Sequence, residues 1–137
     1  MKKMVKNNKG FTLIELVIVI AILGVLAAVA ITMFPKLADS SRGGADVTRA
    51  TQIKSAIATY IAESGDVDAS EMLGAAVNDT LVNLQDGIEV DGVTYGPYLE
   101  NVGGDSDPEN YLPQQDSMTT WNINVDDTTG NVIVEAE

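Results

Sequence analysis

Cysteine and histidine are both absent from these 137 residues. Without cysteine the chain can form no disulfide, and neither thiol redox chemistry nor a thiolate zinc site is open to it. Without histidine it also lacks the commonest general base at neutral pH and the commonest imidazole metal ligand, which argues against an enzyme. Cations are scarce: eight Lys and Arg stand against 20 Asp and Glu, a formal net charge of −12. Beyond Lys54 there is no Lys or Arg at all. Phosphate backbones are gripped by cations, so a chain of this charge does not suit direct nucleic-acid binding. Its acidity reads first as a solvated, self-repelling surface that resists aggregation. Aromatics make up only 5% of the residues. Phe34, Tyr60, Tyr95, Tyr98, Tyr111 and Trp121 are too few to suggest electron conduction, and packing accounts for them.

What the chain does have is a long apolar run. Phe11 to Phe34 contains one charge, Glu15, and as a helix rising about 1.5 Å per residue the run spans roughly 36 Å, enough for a hydrocarbon core of about 30 Å. Ahead of it stand Lys2, Lys3, Lys6 and Lys9 with no acid to offset them, a flank that holds the N-terminus on the cytoplasmic side. A lone carboxylate four residues into such a segment is expensive in lipid and so demands a reason. It points to assembly rather than catalysis. The plainer alternative is that Glu15 marks the interfacial start of the helix and reaches outward to water. Ala27-Ala28-Val29-Ala30 also has the small-residue pattern of a conventional secretory cleavage site.

Gly10-Phe11-Thr12-Leu13-Ile14-Glu15-Leu16 resembles the processing site of bacterial type IV prepilins and type II secretion pseudopilins. The resemblance implies cleavage between Gly10 and Phe11 by a dedicated prepilin peptidase and methyltransferase, N-methylation of Phe11, and retention of the apolar helix. It further implies insertion in the cytoplasmic membrane as a single span, delivery to an inner-membrane assembly platform, and self-association into a helical polymer. No catalytic residue, metal or cofactor is expected. Loss of residues 1–10 removes four of the eight cations and leaves Lys36, Arg42, Arg49 and Lys54 against all 20 acids, a side-chain balance of −16. In such a polymer Glu15 of one subunit can meet the new Phe11 amine of a neighbour. A pair of that kind selects register more than it adds strength, because desolvation offsets much of its attraction.

Further along, Ala50, Ile53, Ile57, Tyr60 and Ile61 recur at helical spacing, with Asp46, Arg49, Lys54 and Glu63 off that stripe. Ser64-Gly65-Asp66 supplies a stop, so one helix from about Phe11 to Glu63 is expected, bent near Ile31 to Phe34 by Pro35 and weakened at Gly43-Gly44. Pilins of many bacteria carry that proline three residues earlier, where this chain has Thr32. Asp68 with Glu71 reads as an N-cap opening a short second helix through Leu84. Ile88 to Tyr95 alternates around Asp91-Gly92, a tight-hairpin signal. Trp121 to Val125 and Asn131 to Glu135, joined across Asp126 to Gly130, read as a second hairpin with Trp121, Ile123 and Val125 on one face. Tyr95-Gly96-Pro97-Tyr98 resembles a segment of small pilin head domains. The loop from Gly103 to Asn110 invites calcium, although it lacks the EF-hand pattern and reads first as an acidic surface loop. Asn78-Asp79-Thr80 fits a glycosylation sequon, a match that arises often by chance.

The expected fold is α+β: a long N-terminal helix, first membrane or filament core and then amphipathic, packed on a small antiparallel sheet as in pilins. The expected division is a leader at 1–10, a transmembrane or filament-core helix at 11–35, its amphipathic continuation at 36–64, and an acidic head at 65–137 completed by 36–64. The function expected is that of a type IV pilus subunit, serving adhesion, motility or DNA uptake. A pseudopilin building a short periplasmic secretion piston shares every one of these hallmarks. A membrane-anchored enzyme is the third reading, opposed by the missing His and Cys.

Overall fold

The computed structural model describes residues 11–101 and 106–137, so residues 1–10 and 102–105, the latter including the start of the acidic loop, lie outside the description. The fold is α+β. A 52-residue helix α1 (Leu13–Ser64) leads, followed by a shorter helix α2 (Val77–Asp86), strands β1 (Ile88–Val90) and β2 (Val93–Tyr95), a 3-10 turn at Pro108–Tyr111, and strands β3 (Trp121–Val125) and β4 (Val132–Ala136). Helix α1 runs on through Pro35 and Gly43-Gly44. It ends as expected, with Gly65 in the left-handed region at φ +76° and its amide donating to the Ile61 carbonyl, a conformation that costs glycine least. Internal contacts divide the chain into two units, Met1–Ala38 and Asp39–Glu137.

Within the second unit the apolar stripe of α1 is the centre of the core. Ile53, Ile57 and Tyr60 are fully buried, together with Ala69, Met72, Leu81 and Leu84, while Trp121 and Val132 bring in the far hairpin. The Tyr60 ring meets Tyr95 and Tyr98 edge-on, at centroid separations of 5.7 and 6.3 Å. These are the arrangements aromatic quadrupoles favour. They explain why the two tyrosines flanking Gly96-Pro97 matter: that segment carries both rings onto the helix.

Antiparallel pairing takes the form of two separate two-stranded ribbons, β1 with β2 and β3 with β4, rather than one continuous sheet. The first closes at Val90↔Val93 over Asp91 and Gly92, whose φ values of 51° and 80° are those a type I′ turn requires. The second pairs Trp121 with Ala136 through Val125 with Val132. Its turn is organised by Asp126, whose carboxylate accepts from the Thr129 amide and hydroxyl and the Thr128 amide. Those bonds, led by the Thr129 hydroxyl, hold the Asp126 carboxyl below its ordinary range.

Two expectations need correction, the start of α2 and the placement of Asp46. Helix α2 begins at Val77, not at Asp68. Residues 66–73 instead form turns in which Ala69 takes a positive φ of 55° and Asp68 accepts from the Ser70 amide, a local bonding that competes with helix. The helix is capped by Asp79 accepting from the Ala76 amide. Within α2, Thr80 is buried and its hydroxyl accepts from the Gly74 amide. Asp46, placed on the polar side of α1 by periodicity, is also buried.

Candidate functional site

Two places on α1 carry polar chemistry that the apolar pattern does not explain. The first is its beginning. Every large apolar side chain from Phe11 to Leu37 is exposed, Phe11 at 91% and Leu13 at 80%, and an 18-residue window of α1 reaches a mean hydropathy of 3.0 with none of it buried. Soluble monomers rarely expose a contiguous apolar surface on this scale. The helix is apolar all round and long enough to cross a bilayer.

Within that run Glu15 sits in the first turn and Phe11 lies just ahead of it; Gly10 falls outside the described residues. Glu15 does not stand alone. Its Oε2 accepts from the Thr12 amide at 2.9 Å and from the Thr12 hydroxyl at 2.9 Å, while the Glu15 amide donates to Thr12 Oγ1 at 3.3 Å. This is a capping box, in which the N-cap and the residue three on satisfy each other's orphan groups. Neither charge nor apolar periodicity marks Thr12. The Thr-x-x-Glu spacing that opens an apolar helix was the signal that could have found it.

The second place is the buried carboxylate of Asp46. Its two oxygens accept from the Gln114 amide at 2.7 Å and the Gln115 amide at 3.2 Å. Arg49, one turn on, lies 3.6 Å from Asp46 and donates from Nε to the Asn110 carbonyl at 3.0 Å. Arg42 adds an exposed ion pair to Asp116 at 2.8 Å. These three charged side chains fasten residues 110–116 to α1. No periodicity signals them, because their partners lie more than 60 residues away.

The acidic loop from Gly103 to Asn110 lies partly outside the described residues. Of its described members, Asp107 caps the 3-10 turn by accepting from the Glu109 amide at 3.0 Å. Among the described residues no three acids converge as metal ligands do.

An exposed apolar helix, long enough to cross a membrane and opening on a capped carboxylate, thus leads into an acidic α+β unit. Residues 5–31 match the family described as the prokaryotic N-terminal methylation motif. A fimbrial protein of Pseudomonas aeruginosa is 44% identical over 71 residues, covering 52% of this chain and 43% of that protein. The type IV major fimbrial protein FimA of Dichelobacter nodosus is 38% identical over 80 residues, covering 58% and 48%. Fimbrial protein Q of Moraxella bovis is 36% identical over 100 residues, covering 71% and 60%. No solved structure matches the chain. The chain thus spans about half the length of the first of these curated relatives. Motif and relatives together support the type IV pilin family.

Proposed function

We propose that this chain is a structural subunit, not an enzyme, which polymerises through its apolar helix into an extracellular type IV pilus. Residues 1–10 are a leader removed at the Gly10–Phe11 junction by a prepilin peptidase that also methylates the Phe11 amine. Residues 11–35 hold the subunit in the cytoplasmic membrane as a single span and then form the filament core. Residues 36–64 continue the helix and complete the acidic head at 65–137. An assembly platform in the inner membrane extracts the subunit, and Glu15 of each copy receives the Phe11 amine of a neighbour.

The observation that carries this reading is the apolar helix itself, entirely exposed and interrupted by one carboxylate. Lipid covers the apolar side chains before assembly, and other copies of the same helix cover them afterwards. In either setting the carboxylate needs a counter-charge or donors. The relatives, all named as fimbrial proteins, favour the pilus over the secretion pseudopilus. The test is electron microscopy of filaments sheared from the cell surface, with intact-mass analysis of their subunit. Filaments built of a chain that begins at methylated Phe11 are expected. A native chain that starts at Met1 or beyond Ala30 overturns the assignment.

A further inference from the structure

We propose that Thr12 is the positioning residue for Glu15: its amide and hydroxyl hold the carboxylate by one oxygen in the single subunit, leaving the other oxygen to receive a cation from a second copy. This rests on the polymerising role proposed above. The geometry is one-sided. Both donated bonds converge on Glu15 Oε2, and among the described residues no hydrogen bond reaches Oε1. The return bond, from the Glu15 amide to Thr12 Oγ1, fixes the hydroxyl so that its proton points at the carboxylate. A carboxylate in an otherwise apolar segment is satisfied at one oxygen by its own chain before any neighbour arrives, which lowers the cost of waiting in lipid. Every atom in the box belongs to Thr12 or Glu15, so cleavage between Gly10 and Phe11 leaves it whole.

Holding the side chain also removes rotamer freedom that an incoming amine would otherwise have to freeze out. Thr12 therefore acts on assembly through Glu15, and a substitution that keeps the helix cap while spoiling the donation separates the two roles. Thr12→Ser keeps both. Thr12→Val loses both. Thr12→Asp keeps a strong N-cap acceptor but sets a second carboxylate against Glu15 Oε2.

The experiment expresses each full chain as the sole copy and measures surface filament relative to processed subunit in the membrane. Thr12→Ser is expected to match the natural chain, and Thr12→Val and Thr12→Asp to fall about fivefold or more, the scale of one lost capping interaction. Normal yield from Thr12→Val overturns the proposal. So does normal yield from Thr12→Asp alongside loss from Thr12→Val, because Thr12 then only caps the helix. A second readout needs no filament: amide hydrogen exchange of the processed subunit in lipid nanodiscs. Protection at the Thr12 and Glu15 amides that is lost in Thr12→Val supports the box, and its absence in the natural chain overturns it. If the natural chain forms no filaments, the polymer reading fails while the exchange result still decides the box.

Discussion

Asp46 and Gln114 stand 68 residues apart in sequence, yet the Gln114 amide donates to the buried Asp46 carboxylate at 2.7 Å. This bond and its neighbours tie the loop before β3 to a helix that touches it nowhere in sequence. Replacing Asp46 with Ala strands two backbone amides and removes the counter-charge of Arg49. A loss of about 3 kcal/mol is expected, since buried groups left unpaired carry their full desolvation cost. Chemical denaturation of the full chain in detergent checks it, and a change below about 0.5 kcal/mol, the range of an ordinary surface substitution, contradicts the role given to Asp46.

Alkali should unfold the second unit before it removes the phenolic protons of the folded core. Burial pushes the Tyr60 phenol up to about 12. It raises Tyr98 as well, whose hydroxyl donates to Glu63 at 2.6 Å. A group that holds its proton more tightly when folded contributes stability that is complete below its unfolded pKa, near 10, and is lost as pH rises through the folded value. Stability is therefore expected to be level up to about pH 10 and to fall between about 10 and 12. Tyr60→Phe with Tyr98→Phe should flatten that fall, as followed by circular dichroism against pH.

Acid acts on the β3–β4 turn. Asp126 is held below its ordinary range by Thr129 and Thr128, so its contribution is present above the unfolded pKa and is lost as pH falls through the lower folded value. Asp126→Asn is expected to remove that acid dependence at the hairpin, visible in the amide exchange of Thr128 and Thr129. An unchanged acid profile argues that these bonds do not stabilise the turn.

Glu15→Val should leave membrane insertion intact or improve it, since a charge leaves the lipid. Filament yield should nevertheless collapse, because the partner amine enters the bundle uncompensated at a cost of about 3 to 5 kcal/mol. The second unit should unfold at the same denaturant concentration as before. Normal filaments from the variant expressed alone show that the carboxylate does not direct assembly.

Processing is tested at Gly10. A bulky substitution there should block cleavage and leave the unprocessed subunit in the membrane, detected as an intact mass that still includes residues 1–10. Release of a chain that starts at Phe11 from the variant contradicts the junction.

Features set by local chemistry were legible in the sequence. The Asp91-Gly92 pair placed the first hairpin, because only certain residues tolerate two successive positive φ values. Period-2 alternation placed β3 and β4, and helical spacing found Ile53, Ile57 and Tyr60. What escaped was fixed by distant partners or by rival local bonds. Asp46 looks like any polar residue on a helix until residues 114 and 115 fold over it. Asp68 has the form of an N-cap, but its carboxylate closes a turn onto Ser70 and the helix waits until Val77. Thr12 is different, for its spacing to Glu15 was legible all along.

The chain holds a single tryptophan, and that residue is only 2% exposed, its indole Nε1 donating to the Tyr111 carbonyl. Helix α1 contains none. Its intrinsic emission is therefore blind to what surrounds the apolar helix, whether detergent, bilayer or filament, and reports only on the packing around β3. One fluorescence trace can follow unfolding of residues 39–137 through an assembly reaction, so that loss of polymer and loss of fold are told apart in the same cuvette.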